Sequence, residues 1–435
     1  MSDMTKITKA ADYLSGLLKE KQNLKAQFEI SEITTTEITV ENGDFSLLRT
    51  MFDKDVAIKV LVDQKPGTTS INSFEEADIK DALENAITSS ASAVADDCFN
   101  LAPAIKGEEF TRGPLEPDMD TLMSRTAELK EAIAKEYPNI LLMMGIVEHV
   151  RTDSMYRNTN GTEDVVHSGV YNIYLEFAGN DGNNTSGISG SSISIETLDT
   201  PFIELGRIRK DLEDAEKSVA PTSVDGKFEG KIIFTPECFK NALNTYMQIA
   251  LSDIVIVDNS SLWRNKIGQK VAADSFTFSV KPWDKRIIDH EYHTADGFRS
   301  EDYTIIENGV LKSFATSLYG ANKAKVERAG NTSAAYVVEP GTTSLDDMIK
   351  NIDRGLIVGA ISAGAPGVNG EIAGVAKNAF YIENGKIVNA VTETMISFNV
   401  VNVLNNIVDI SKEVLCNGDF VIPYICVDGI TISGK

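Results

Sequence analysis

The segment from Asp289 to His293 concentrates ionisable side chains that could bind a metal ion or polarise a peptide. His290 and Glu291 form a His-Glu dipeptide of the kind found in the helices of zinc peptidases. In those helices two imidazoles bind Zn²⁺, and the carboxylate deprotonates the bound water. Here the second histidine, His293, follows at i+3, and the apolar residues before the segment predict the end of a strand. Residues three apart in a strand point to opposite faces, so the pattern favours polar residues at a strand end over a metal site.

Asp289 and Glu291 offer a second kind of chemistry, because alternate residues of a strand share one face. Two carboxylates on one face could line a cleft and accept hydrogen bonds from the backbone amides of a bound peptide. The same pair is compatible with a solvated strand end or with an interdomain hydrogen-bond pair. The sequence leaves these alternatives open.

Bulk composition restricts the partners of the chain. Its 435 residues include 41 basic and 64 acidic side chains, which give a formal net charge of −23. This excess of negative charge repels nucleic-acid backbones and anionic membranes, so we expect no direct binding to either. The four cysteines are widely spaced and form no C-x-x-C pair, which favours a reduced, cytoplasmic setting.

The first half of the chain alternates helical and strand patterns. Apolar residues at helical spacing predict helices at Thr5–Leu24, Phe74–Val94 and Met119–Glu136. Alternating segments between them predict strands, and Glu41-Asn42-Gly43 predicts a turn between two of these strands. The segment Ser218–Gly230 contains proline and two glycines and has no hydrophobic period, so it predicts a domain boundary.

After that boundary, short strands and turns predominate. The expected strands include Ile254–Val257 and Tyr303–Ile306, and Pro236–Leu251 is the longest expected helix. Two further Asn-Gly turns, at Glu307-Asn308-Gly309 and Glu383-Asn384-Gly385, predict tight hairpins. Asparagine and glycine are favoured there because both central residues of such a turn need a positive φ.

These patterns predict an α+β protein of two domains. We expect residues 1–220 to form a domain of helices and hairpins. We expect residues 221–435 to form an antiparallel, β-rich domain, barrel-like or sandwich-like, with a few helices. The length of the chain also exceeds what one ordinary core accommodates.

Several of these residues resemble a motif of the TldD/PmbA family. Members of that family carry an acidic pair, then the sequence L-I-E-N-G-V-L, a strand and an alanine-containing helix. Here Asp289 and Glu291 match the acidic pair, Ile305–Leu311 matches the hairpin, and Tyr319-Gly320-Ala321 matches the helix. Tyr292 departs from the pattern, since the family has glycine there. The resemblance extends over most of the chain and implies the family's two-domain fold.

The catalytic branch of that family has an H-E-x-x-x-H helix after a strand and a proline-containing turn. In this chain the turn is Thr235-Pro236, and counting from it places Thr245 and Ala250 at the histidine positions and Tyr246 at the glutamate position. Threonine and alanine are not zinc ligands, and tyrosine is a poor base at neutral pH. Cys416 stands where catalytic members have a cysteine ligand, but without the histidines we interpret it as an inert small residue.

The resemblance therefore implies the PmbA/TldE branch, whose members lack the zinc motif and carry the label "modulator of DNA gyrase". It implies no catalytic residue and no metal in this chain, and it places zinc in a TldD-like partner subunit. It also implies a homodimer or heterodimer that acts in the cytoplasm as a metalloprotease on unfolded peptides. In such an assembly Asp289 and Glu291 would line the peptide cleft.

Two other hypotheses remain open. The chain could be a self-sufficient homodimeric hydrolase that uses His290, Glu291 and His293, with Cys416 as a further candidate metal ligand. Alternatively, it could be a regulatory binding protein without proteolytic activity.

Overall fold

The computed structural model describes residues 4–367 and 370–435 of the chain. Its first half is a seven-stranded sheet with helices on one face. The strands are β1 (Leu24–Glu41), β2 (Asp44–Val62), β3 (Lys65–Ile71), β4 (Glu109–Arg112), β5 (Ile140–Asn158), β6 (Glu163–Gly179) and β7 (Ser189–Ile195). The helices are α1 (Met4–Lys19), α2 (Glu76–Ala91), α3 (Met119–Glu136) and α4 (Ile208–Lys217), with a 3₁₀ turn at Phe202–Glu204.

The first sheet follows the order β3-β2-β1-β5-β6-β4, and β7 also pairs with β6. Even-numbered residues of β1, such as Phe28, Ile30 and Ile38, are buried under the four helices. Side chains of a strand alternate between faces, so the odd-numbered residues of β1 and the paired even-numbered residues of β5 form the opposite face. That second face carries polar side chains such as Glu37 and Glu148.

The second half is built on an eleven-stranded sheet. Its strands are β8 (Lys227–Phe234), β9 (Phe278–Val280), β10 (Tyr303–Glu307), β11 (Val310–Leu311), β12 (Tyr336–Val338), β13 (Arg354–Ala363), β14 (Glu371–Glu383), β15 (Lys386–Val391), β16 (Met395–Asn399), β17 (Ile407–Cys416) and β18 (Val421–Ser433). Its helices are α5 (Pro236–Tyr246), α6 (Asp253–Val257), α7 (Leu318–Ala324), α8 (Leu345–Lys350) and α9 (Val400–Val403), with a π-helical turn at Met247–Leu251.

Five of these strands close into a barrel. They follow the order β18-β16-β14-β13-β8, and a further pairing between β8 and β18 completes the ring. The pairing of β8 with β13 is parallel, and the other four pairings are antiparallel. The α+β class and the barrel-like alternative are therefore confirmed, whereas the sandwich-like alternative is wrong. The domain boundary at residues 220/221 stays a prediction.

The three predicted Asn-Gly turns are confirmed. Asn42, Asn308 and Asn384 have φ of 50°, 48° and 50°, and the glycine after each also has a positive φ. The turns join β1 to β2, β10 to β11, and β14 to β15.

Two predicted strands are wrong. Ile254–Val257 lies in helix α6, because the Asp253 carboxylate accepts a hydrogen bond from the Ser317 amide at 2.8 Å and ties this turn to α7. Residues 289–291 also lie outside the strands. The amides of Ile288 and Asp289 both donate to the Gly418 carbonyl, at 2.6 and 3.2 Å, so the chain turns here and does not pair as a strand.

Among the described residues, no helix has both the length and the apolar character needed to cross a membrane. The long apolar segments lie in the sheets and in the cores beneath them.

Candidate functional site

A cavity of about 570 Å³ lies where the helix-free face of the first sheet meets two loops of the second half. Glu148, Val150 and Thr152 occupy alternate positions of β5 and therefore form part of its floor. The loop around Asp289 and the loop at residues 417–419 form the facing wall. The cavity is further lined by Arg112, Ser168, Gly169, Val170, Asn172, Ile173, Tyr174, Ser192, Ser194, Glu196, Ile288, His290 and Tyr292.

Asp289 is an exposed residue of this wall, and its role in binding a peptide stays a prediction. Desolvation by the cavity walls raises the pKa of its carboxyl group, and the nearby Asp419 adds to this rise, while Lys240 opposes it. The backbone of Asp289 is fixed through its hydrogen bond to Gly418. A carboxylate on a fixed backbone beside a cavity can accept hydrogen bonds from a ligand.

Asp419 and Lys240 form an ion pair between the 417–419 loop and helix α5. One carboxylate oxygen of Asp419, Oδ1, is buried and makes no hydrogen bond to any described group. A buried acceptor without a donor costs free energy, and a bound amide or ammonium group would relieve that cost.

His290 lies on the same wall, beside the rings of Trp283 and Tyr292, with centroid distances of 5.2 and 6.2 Å. Neither of its ring nitrogens makes a hydrogen bond to a described group. Burial lowers the pKa of the imidazole to about 4, and the charge of Arg112 contributes to this. His290 is therefore neutral at pH 7.

The pKa of His290 predicts an acid-labile contribution to stability. Its folded-state pKa of about 4 lies below the ordinary value of 6.5, so the unfolded chain binds the proton more readily. This contribution is present above pH 6.5 and is lost as the pH falls toward 4. We expect His290→Phe to reduce the loss of unfolding free energy between pH 7 and pH 4.5, measured by urea denaturation. Equal losses in the variant and the wild type would contradict the prediction.

Glu291 and His293 point to structural partners. The Glu291 carboxylate accepts from the Thr332 amide at 2.9 and 3.2 Å and from the hydroxyls of Thr332 and Ser300. The Nε2 atom of His293 lies 2.7 Å from the Asp164 carboxylate. Neither Glu291 nor His293 lines the cavity.

The three positions expected for a zinc motif lie in and just after α5. The Thr245 hydroxyl donates to the Asn241 carbonyl at 3.2 Å, within the same helix. Tyr246 is buried, stacks on Trp263 at 5.3 Å, and donates its hydroxyl to the Val400 carbonyl. Ala250 is fully buried. Tyr246 and Ala250 therefore fill the hydrophobic core.

Cys416 is half-buried, and its thiol donates to the Arg286 carbonyl at 3.2 Å. Burial raises the pKa of the thiol, which disfavours the thiolate that binds metals. Across residues 4–367 and 370–435, no three His, Cys, Asp or Glu side chains are grouped so that they could hold a metal ion.

Some residues of the site were not found from the sequence. Arg112 forms an ion pair with Glu196 at 2.5 Å and donates to the Ile287 carbonyl at 3.0 Å. Lys240 and Asp419 pair across 179 residues of sequence. These partners lie in separate elements, and no local spacing pattern connects them.

Two models of known protein domains match this chain. Residues 227–434 match the PmbA/TldA metallopeptidase C-terminal domain, and residues 26–90 match the PmbA/TldA metallopeptidase domain 1. The two-domain fold is thus that of a metallopeptidase-related class of proteins. The chain belongs to the PmbA/TldD family.

Individual relatives agree with this assignment. A protein of Haemophilus influenzae named metalloprotease PmbA homolog is 22% identical, over 96% of this chain and 94% of its own length. A protein of Buchnera aphidicola with the same name is 24% identical, over 97% and 96%. The fold is similar to that of the crystal structure of TldE from Thermococcus kodakarensis, with a TM-score of 0.80, 20% identity, and coverage of 98% and 99%.

Proposed function

We propose that this chain is the PmbA/TldE-like subunit of a cytoplasmic metalloprotease of the TldD/TldE type, which acts on unfolded peptides. In this proposal a TldD-like partner supplies zinc and the catalytic groups. The observation that carries the proposal is the chemistry of the expected zinc positions. Thr245, Tyr246 and Ala250 offer no imidazole and no carboxylate, and Tyr246 and Ala250 are committed to the core.

The cavity beside Asp289 supports a role in holding the peptide. An unfolded peptide presents backbone amides and carbonyls, and the cavity offers both acceptors and donors for them. The carboxylates of Asp289 and Glu148 can accept from amides, and the Ser192 hydroxyl can donate to a carbonyl. Such contacts recognise the main chain and leave the peptide sequence free.

The outer half of β2 supports assembly with a second subunit. β3 pairs with β2 along Val56–Val62, and in the described part of the chain no strand pairs with the free edge of residues 44–55. Leu48 and Phe52 of this segment are 57% and 71% exposed. An open strand edge with exposed apolar side chains is suited to a partner surface. We propose that the TldD-like subunit, or a second copy of this chain, binds here.

The experiment is a reconstitution. The purified chain, a TldD-like subunit, and their mixture are each incubated with an unfolded casein substrate and with a folded control protein. We expect casein cleavage by the mixture, at a rate well above the sum of the separate rates, and loss of that cleavage on zinc chelation. Mass spectrometry of the isolated chain is expected to find zinc well below one atom per chain.

The alternatives predict different results. Cleavage by this chain alone, abolished by His290→Ala or His293→Ala, would favour the self-sufficient hydrolase and contradict the proposal. The separate placement of His290 and His293, in the cleft wall and against Asp164, supports no shared site for them. Tight binding of a folded protein without cleavage would favour the regulatory binding protein.

A further inference from the structure

A second cavity, of about 180 Å³, lies at one mouth of the five-stranded barrel. Phe234 ends β8, Ala363 ends β13, Ile372 lies near the start of β14, and Phe398 lies near the end of β16, so all four mark the same end of the barrel. Helices α5 and α9 follow β8 and β16 and cover part of this mouth. Barrel mouths are common sites of ligand binding.

The walls of this mouth cavity are mainly apolar. They include the rings of Phe234, Phe398 and Tyr246 and the aliphatic side chains of Ile361 and Val403. Two of the polar groups are used internally, since the Tyr246 hydroxyl donates to Val400 and the Thr245 hydroxyl donates to Asn241. The volume is close to that of an engineered apolar cavity of about 150 Å³ that binds benzene. An aromatic or branched aliphatic group therefore matches the mouth cavity in size and polarity.

A free strand edge runs beside the mouth cavity. β8 pairs with β13 along Gly355–Val358, after which the chain turns into α5. Residues 360–363 of β13 pair with β14 on one side, and no described strand pairs with their other side. An extended peptide can add to such an edge through main-chain hydrogen bonds, and an adjacent pocket then selects its side chain.

We propose that an extended peptide pairs with this edge of β13 and inserts one apolar side chain, of leucine or phenylalanine size, into the mouth cavity. The inference rests on the proposed function, which makes unfolded peptides the ligand class. It adds to that function a preference for one type of side chain. Helix α5 separates this pocket from the cleft at Asp289, because Lys240 faces Asp419 while the next residue, Asn241, lines the mouth cavity.

The test uses two capped, uncharged hexapeptides that differ at one central position, which is leucine in one and serine in the other. Binding to the chain alone is measured by isothermal titration calorimetry. Burial of a leucine side chain predicts roughly ten- to a hundredfold tighter binding of the leucine peptide. Two variants fill the cavity from different walls: Ala363→Leu from the end of β13, on the same face as Ile361, and Thr245→Leu from α5. We expect both to abolish the preference for leucine.

The matched control is Ala91→Leu, which adds the same group at an exposed position of α2 and is expected to retain the preference. Circular dichroism identifies any variant that fails to fold. If one of the two cavity-filling variants is unfolded, the peptide preference of the other one tests the inference. Equal affinities for the two peptides, no binding of either at millimolar concentration, or a preference that persists in a folded filled variant would each overturn the inference. The calorimetric measurement uses this chain alone. Its outcome therefore does not depend on whether the reconstitution with a TldD-like subunit yields cleavage.

Discussion

Replacement of Asp164 by alanine is expected to lower the free energy of unfolding by about 3–5 kcal/mol. The Asp164 side chain is completely buried between the two halves of the chain. Its carboxylate lies 2.7 Å from His293 Nε2 and accepts from Arg299 Nη2 at 2.7 Å and from the Glu108 amide at 2.6 Å. Removal of the carboxylate deprives the buried His293 ring of its partner and removes one of the two carboxylates that pair with Arg299, which keeps its contact with Glu108. Chemical denaturation followed by circular dichroism measures the effect.

The pKa of Asp164 gives this prediction a pH dependence. Burial alone would raise the pKa, but hydrogen bonds from Arg299 and His293 outweigh it and hold the pKa below its ordinary value. The stabilisation is thus present above the ordinary aspartate pKa and is lost as the pH falls below it. We therefore expect the difference in unfolding free energy between the wild type and Asp164→Ala to become smaller as the pH falls below the ordinary aspartate pKa. Asp97→Ala, at an exposed position, serves as the control. A similar loss of unfolding free energy in both variants would contradict the stabilising role of the buried Asp164 carboxylate.

Tyr246→Glu, which restores the glutamate expected of a zinc motif, should destabilise the chain by about 4 kcal/mol or more. Tyr246 is 4% exposed, and its ring stacks on Trp263. A glutamate there loses that packing and buries a carboxyl group, whose charged form is disfavoured. The loss of unfolding free energy should increase as the pH rises above the ordinary glutamate pKa. In that range the carboxyl group of the unfolded chain is ionised, whereas burial keeps the same group protonated in the folded chain. Thermal and urea unfolding at pH 5 and pH 8 measure this trend.

Tyr246→Phe separates packing from hydrogen bonding. It keeps the ring and removes only the donor to the Val400 carbonyl, so we expect a loss of about 1 kcal/mol. If Tyr246→Glu were no more destabilising than Tyr246→Phe, this position would tolerate a catalytic carboxylate. One structural reason for proposing that this chain lacks the zinc motif's chemistry would then be lost.

The sequence predicted features that depend on neighbouring residues. The three Asn-Gly turns were found because their backbone geometry restricts the residue types, and Met119–Glu136 was found with both ends correct because its apolar face is a local pattern. The closed barrel was predicted only as one of two alternatives, since the pairing of β8 with β18 joins distant segments.

The candidate site was less predictable for the same reason. Asp289 was named from its sequence, but the two hydrogen bonds to Gly418 that turn its backbone come from a loop far along the chain. Glu291 was expected beside Asp289 on a strand face, yet Thr332 and Ser300 hold its carboxylate elsewhere. No spacing rule reveals which distant hydroxyls will meet a carboxylate after folding.

Closure of the barrel also constrains when the second half can fold during synthesis. β8 is the first of the five barrel strands to leave the ribosome, and β18, its antiparallel partner, is the last. Until β18 emerges, one edge of β8 and one edge of β16 remain open to other chains. The nascent second half therefore depends on protection from aggregation until the segment Val421–Ser433 has been translated, and it then folds with the slow kinetics of long-range strand pairing.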